Sequence, residues 1–212
     1  EFINFFRKKH KNIKITGIEK NKLIYDNIKH FQENKTEIIN QDFLTYNTDE
    51  KFNIIIGNPP YFVMKKSNVE SKYNSYFSGR PNIFVLFIIK SLELLENNGI
   101  LAFVLPQSFL NCLYYDKTRN YLNTFKIIDV IQCDDDYIET KQNTVIVIVQ
   151  KRSKKDEIIE NNSKFVLKNN DHTIFGTIKN IKKFKFLYKN STTLKEMKFK
   201  VNVGNVVWNQ CK

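Results

Sequence analysis

Two short apolar runs, residues 52–56 and 100–105, constrain this chain more than any other feature. A strand buried on both faces of a parallel sheet reads as such a run, because helices cover it above and below. Residues 81–96 between them have helical apolar spacing. Pro81 suits a first turn and Asn97-Asn98-Gly99 supplies a stop. Strand, helix and strand in that order give the crossover that parallel pairing requires. The alternation recurs upstream. Residues 13–18 alternate like a strand and end at Glu19. Residues 21–31 place Leu23, Ile24, Ile28 and Phe31 on one side of a helix, and Glu37-Ile38-Ile39 is a short strand ending at Asn40-Gln41-Asp42. Downstream, residues 113–125 are expected to be helical, with residues 126–132 and 144–150 as antiparallel neighbouring strands. Together these predict an α/β fold with a doubly wound sheet. Ligands of such sheets bind beyond the carboxyl ends of the strands. Glu19, Asp42, Asn58 and Pro106-Gln107-Ser108 fall at that edge.

The patterns weaken after Gln150. Lys151-Arg152-Ser153-Lys154-Lys155 reads as a linker or solvated turn. Residues 1–150 are therefore expected to form one domain, and residues 151–212 a linker with the start of a second region. The opening Glu1-Phe2-Ile3 is neither an initiator methionine nor a signal peptide, and reads as a start in mid-protein. No apolar run nears the roughly 20 residues of a membrane span, so no membrane partner is expected. Lysine and arginine number 34 against 22 acids, a net charge of +12, which suits a polyanionic partner. A composition rich in Lys, Asn and Ile, with Ala102 as its one alanine, produces the same excess without such a partner. Cys112, Cys133 and Cys211, with His10, His30 and His172, lack the spacing of a disulfide framework or a metal centre. No metal is expected, and a reducing, cytoplasmic setting fits.

The segment Asn58-Pro59-Pro60-Tyr61 carries the chemistry. Two prolines fix two φ angles, remove two N–H donors and hold their predecessors extended. The Asn58 side-chain oxygen and the Pro59 carbonyl are then two fixed acceptors without competing donors beside them. Two acceptors suit an exocyclic amine with two hydrogens, and Tyr61 offers an aromatic face to the planar ring that carries it. Accepting both hydrogens localises the nitrogen lone pair, which can then attack an electrophilic methyl group in line.

This segment, at the end of a buried strand, resembles motif IV of the amino-methyltransferases that use S-adenosylmethionine. The order of the other segments resembles the N6-adenine DNA methyltransferases of gamma-type motif order, the TaqI-like restriction–modification methylases. Thr16-Gly17-Ile18-Glu19 is similar to motif II, and Asn40-Gln41-Asp42-Phe43-Leu44 to motif III. The segment from Arg80 to Phe87, which includes Phe84, is similar to motif V. Gly99 to Pro106 resembles motif VI, and Tyr137 to Ile148 motif VIII.

The resemblance implies a Rossmann-like methyltransferase sheet and S-adenosylmethionine as cofactor. It implies Ile18, Glu19, Asp42, Phe43, Asn58 and Phe84 at the cofactor, with Glu19 on the ribose hydroxyls and Asp42 on the adenine amino group. Asn58, Pro59, Pro60 and Tyr61 are implied at the catalytic centre, with Tyr61 and Tyr137 on the two faces of the target base. Double-stranded DNA is the implied partner, with adenine flipped out of the stack because N6 cannot be reached inside it. The region after residue 150 would begin target recognition. The family's glycine-rich motif I has no counterpart in a chain whose 6 glycines are scattered singly. The chain is therefore expected to be a fragment lacking the first strand and cofactor loop. The same four-residue motif also serves RNA adenine and protein glutamine methyltransferases, and a catalytically dead nucleic-acid-binding module is the reading from another class.

Overall fold

The computed structural model describes residues 2–10, 12–33, 35–133, 143–152, 155–168, 172–194 and 196–200. Helix α1 (Phe2–Lys9) leads into β1 (Ile15–Glu19), α2 (Lys22–Ile28) and β2 (Thr36–Asn40). The two apolar runs become β3 (Phe52–Gly57) and β4 (Leu95–Pro106), joined through α3 (Ile83–Leu94). Next come α4 (Asp116–Leu122), β5 (Lys126–Gln132) and β6 (Thr144–Gln150). After them come α5 (Lys155–Asn162), β7 (Val166–Lys168), β8 (Thr173–Phe175) and α6 (Ile178–Asn190). No helix among the described residues is long and apolar enough to cross a membrane.

The strands form an α/β arrangement in which β1 pairs with β2 in parallel, with Glu19 opposite Asn40. A second sheet has the order β3-β4-β6-β5. There β3 is parallel to β4, and β6 runs antiparallel to both β4 and β5. The antiparallel pairing expected for the last two runs is present, and β6 is inserted between β4 and β5. Among the described residues, β1 has no strand partner besides β2, and β3 none besides β4.

The open edge of β3 corrects one expectation. Ile54, expected to be buried on both faces, is 47% exposed, because no strand among the described residues lies on that side of β3. Leu23 and Ile24 of α2 are likewise exposed; only Tyr25, Asp26 and Ile28 of that helix are part-buried. Pro81 lies two residues before α3, whose N-cap is Asn82. The expected helix over residues 113–125 is regular only over α4, after a 3-10 turn at Leu113–Tyr115.

The core lies against α3, in which ten of twelve residues are buried. Leu101, Phe103 and Leu105 of β4 and Val145, Val147 and Val149 of β6 alternate inward and share one apolar cluster with Phe84, Ile88 and Leu92. Each such side chain contributes about 1.5–3 kcal/mol on burial. The boundary expected near residue 150 falls between β6 and α5, yet the elements beyond it pack on this cluster through Phe165, Val166 and Phe175.

Two buried polar residues tie that later segment down. Asn162 accepts from the Ile127 N–H at 2.8 Å and donates to the Phe125 carbonyl at 2.8 Å. The Arg119 guanidinium is fully buried and donates to the carbonyls of Phe109 and Cys112, both at 2.8 Å, and of Thr173. Asp116 completes the clasp by accepting from the Thr173 N–H at 2.8 Å.

Candidate active site

β3 delivers Asn58 to the carboxyl edge of its sheet. Gly57 precedes it opposite Phe103 of β4, and a Cβ on Gly57 would stand 3.3 Å from the Phe103 ring. Glycine lets the strand end lie flat on that ring. Pro59 is buried and Pro60 exposed, while the Asn58 side chain faces outward. The chain then turns onto the start of α3: Met64 N donates to the Pro81 carbonyl at 2.8 Å, and Ile83 N to the Phe62 carbonyl at 2.9 Å. The four-residue segment is thus held at both ends, by β3 behind and by the α3 entry ahead.

The Tyr61 hydroxyl lies 2.6 Å from Asn58 Oδ1 and 2.9 Å from the Val104 carbonyl. A phenol has one hydrogen to donate, so the two acceptors share it. Asn58 Oδ1 retains a second lone pair for a ligand. The hydroxyl therefore fixes the orientation of the Asn58 amide. Behind Tyr61 stands Phe84, edge-on with ring centroids 6.1 Å apart. Phe84 is completely buried among Phe109 and Tyr115. It props the tyrosine ring from within the core and is closed to direct contact with a ligand. Tyr61→Phe is expected to keep the ring and its prop but free the Asn58 amide to rotate. Loss of the hydroxyl contact, about 0.5–1.5 kcal/mol for one hydrogen bond, predicts a several-fold fall in turnover. Tyr61→Ala should fall much further, which steady-state rates of the two variants would compare.

The second cluster is at the ends of β1 and β2. A Glu19 carboxylate oxygen accepts from the Asn21 N–H at 2.6 Å, and Asn40 Nδ2 donates to the Glu19 carbonyl at 2.9 Å. Asp42 caps the turn Phe43–Thr45 by accepting from the Leu44 N–H at 2.9 Å, and its other oxygen meets Lys20 Nζ at 2.8 Å. Burial alone would raise the Asp42 carboxyl pKa. The Lys20 ammonium and the Leu44 N–H outweigh it and hold the pKa below the ordinary carboxylate value. A depressed acid contributes stability above its unfolded pKa and loses it as pH falls through the folded one. Asp42→Asn should therefore destabilise the chain at neutral pH, with the difference fading below about pH 4, the unfolded range. Urea unfolding of both forms at the two pH values measures this.

Between β1 and β3 lies a cleft of about 340 Å³, lined by Ile15 to Ile18, Ile54 to Ile56 and the α1 residues Phe2, Ile3 and Phe6. Ile18 and Phe43, expected at the cofactor, both line it. Phe43 also packs on Phe87 of α3, ring centroids 4.9 Å apart. The fold thus brings Ile18, Glu19, Asp42 and Phe43 together on one side. It brings Asn58, Pro59, Pro60 and Tyr61 together at the end of β3, just beyond the Ile54 to Ile56 wall of the cleft. Tyr137 lies outside the described residues. Three contributors had no sequence signal: the Val104 carbonyl that anchors Tyr61, Lys20 against Asp42, and the Asn40 amide that joins the two strand ends.

The fold is that of the S-adenosylmethionine-dependent methyltransferases. The chain superposes on a Listeria monocytogenes protein assigned to class I of those enzymes, with a TM-score of 0.60 at 17% identity, covering 72% of this chain and 49% of that one. It also superposes on a chain from a type I restriction–modification system, with a TM-score of 0.54 at 15% identity over 76% of this chain and 42% of that one. The sequence narrows the class further. Residues 2–138 match the Eco57I restriction-modification methylase family, and the chain belongs to that family. The type II methyltransferase M.CvrRI of Paramecium bursaria Chlorella virus XZ-6E is 34% identical over 158 residues, covering 72% of this chain. The type II methyltransferase M.AccI of Acinetobacter calcoaceticus is 28% identical over 153 residues, covering 66% of this chain. This chain spans 40% and 28% of the lengths of those two relatives.

Proposed function

We propose that the protein transfers a methyl group from S-adenosylmethionine to N6 of an adenine flipped out of double-stranded DNA. The observation that carries this reading is the exposed Asn58 side-chain oxygen at the end of β3, held 2.6 Å from the Tyr61 hydroxyl. The Pro59 carbonyl is assigned as the second acceptor, and Ile18, Glu19, Asp42 and Phe43 as the cofactor side. The cofactor, when bound, supplies an electrophilic methyl group. Glu19 keeps one carboxylate oxygen outside its bond to Asn21 to accept from ribose hydroxyls. Asp42 has a lone pair for the adenine amino group once exposed Lys20 swings aside. Ile18 and Phe43, which line the cleft, would hold the adenine ring of the cofactor. Phe84 acts through Tyr61, whose outer face receives the target base, and Tyr137 is assigned to the opposite face. The Asn58 oxygen and Pro59 carbonyl accept the two N6 hydrogens and direct the nitrogen lone pair at the methyl group. Orientation and electrostatics are the protein's contribution.

The open edges of β1 and β3 and the apolar cleft between them support a further strand seated there, the element expected to carry the glycine-rich cofactor loop. Target recognition is assigned to begin in the region after residue 150, whose first elements also pack on the methyltransferase core. The test supplies labelled S-adenosylmethionine to the chain extended upstream through that loop and downstream through the recognition region. Duplex DNA, bulk RNA and a release-factor protein serve as parallel substrates, with products identified by mass spectrometry. N6-methyladenine in DNA is expected. Label in RNA or on glutamine would replace the substrate while keeping the amine chemistry. No label on any of the three would favour a module that only binds nucleic acid.

A further inference from the structure

We propose that the outward face of α6 lies along the phosphate backbone of duplex DNA, an assignment that rests on the reading of DNA as substrate. Helix α6 runs Ile178–Asn190 with Thr177 as its N-cap, accepting from the Asn180 N–H at 3.2 Å. Its inner side is set by Ile181, which is buried and packs on Gly176. On that side too, Lys185 donates to the Ser163 carbonyl. Ile181 is the one buried residue of the helix, and Ile178, Phe184, Leu187 and Tyr188 are exposed as well as Phe186, at 66% the most exposed of these apolar side chains. Lys182 and Lys183 stand four and three residues before Phe186, Lys189 three after, and Lys179 seven before. At 3.6 residues per turn these spacings put all four ammonium groups on the side of the helix that carries Phe186.

The helix contains no acid, and none of the ion pairs among the described residues reaches it. Lys14, Lys22, Lys29 and Lys72 are among the surface lysines that do meet a carboxylate. On α6 the like charges stand together without compensation, which costs helix stability. A polyanion supplies the missing counter-charge, with release of its condensed cations as the driving force. A protein partner is disfavoured, because lysine is depleted in protein interfaces. The helix also exposes Ile178, Phe184, Leu187 and Tyr188, so an anionic lipid surface is the competing polyanion, and the vesicle arm of the test separates it from DNA. On DNA, the four lysines meet successive phosphates and Phe186 rests on the sugar edge between them.

The test measures affinity of the protein for a duplex oligonucleotide over a series of salt concentrations. Each phosphate contact contributes about 0.9 to the slope of log affinity against log salt. The variant K179Q/K182Q/K183Q/K189Q keeps residues of similar helix propensity, and circular dichroism checks the fold. Its slope is expected to be shallower by about 3–4. A control variant, K14Q/K22Q/K29Q/K72Q, removes the same charge from paired sites and is expected to move the slope by less than about 1. Equal slopes for the native protein and the α6 variant would overturn the proposal. So would a loss of binding to phosphatidylserine vesicles with no change on DNA. If the native protein methylates no DNA but the α6 slope still falls, the substrate reading fails and the docking surface stands.

Discussion

Asn58→Ala is expected to slow methyl transfer by about two to three orders of magnitude, the scale of removing one preorganised partner of a developing charge. The same variant is expected to bind duplex DNA within about twofold of the native protein and to lose less than about 0.5 kcal/mol of stability. The separation follows from where Asn58 sits. Its side chain is exposed, so truncation opens no cavity. Tyr61 keeps its second acceptor, the Val104 carbonyl, and its prop, Phe84, so the face proposed for the target base is preserved. What disappears is one of two acceptors for the amine. Asn58→Asp retains an oxygen in the same place and should fall between the two. Single-turnover rates with labelled cofactor, beside fluorescence-anisotropy titrations, give the two quantities independently. If rate and affinity fell in parallel, Asn58 would be a binding residue and the assigned chemistry would be wrong.

Arg119→Met should produce the largest loss of stability, about 3–5 kcal/mol, the range for breaking a buried charge network. Its fully buried guanidinium satisfies the carbonyls of Phe109, Cys112 and Thr173, and methionine leaves those acceptors in a dry interior. Asp116 then faces Thr173 without its cation. For a chain of this size the melting temperature should drop by roughly 10 °C, from the usual few degrees per kcal/mol. Arg119→Lys should not rescue, because one ammonium cannot reproduce a planar fork that reaches three carbonyls. A thermal melt within a degree or two of the native one would show that the later segment is held by apolar packing alone.

These two residues also mark what the sequence made legible. The placement of Asn58 at a strand end was legible because proline and asparagine there have few conformations and a definite hydrogen-bonding capacity. The strand–helix–strand unit around it was legible because runs of apolar residues of those lengths have few other uses. Arg119 was not. In Asp-Lys-Thr-Arg it looks like half of a surface pair three residues apart, whereas one of its main partners is a backbone carbonyl 54 residues away. Main-chain acceptors leave no residue type to read. β7 and β8 have three residues each, too few for any period to emerge. The exposure of Ile54 depends on the missing neighbour of β3, which no local pattern encodes. Phe84 lies in a helix that is apolar on every side, so spacing alone could not separate a cofactor wall from a core prop.

The order of the second sheet has a consequence for biosynthesis. β6 is the last of its four strands to be made, yet it sits between β4 and β5 and gives both their hydrogen-bonded neighbour. Until residues 144–150 leave the ribosome, β4 and β5 each present a bare edge and an apolar face awaiting Val145, Val147 and Val149. A nascent chain paused before that point is a sticky intermediate, the kind that chaperones hold. Residues 144–150 are thus the segment whose synthesis allows the sheet to close, and α5 and the β7–β8 pair can pack only on the sheet so completed.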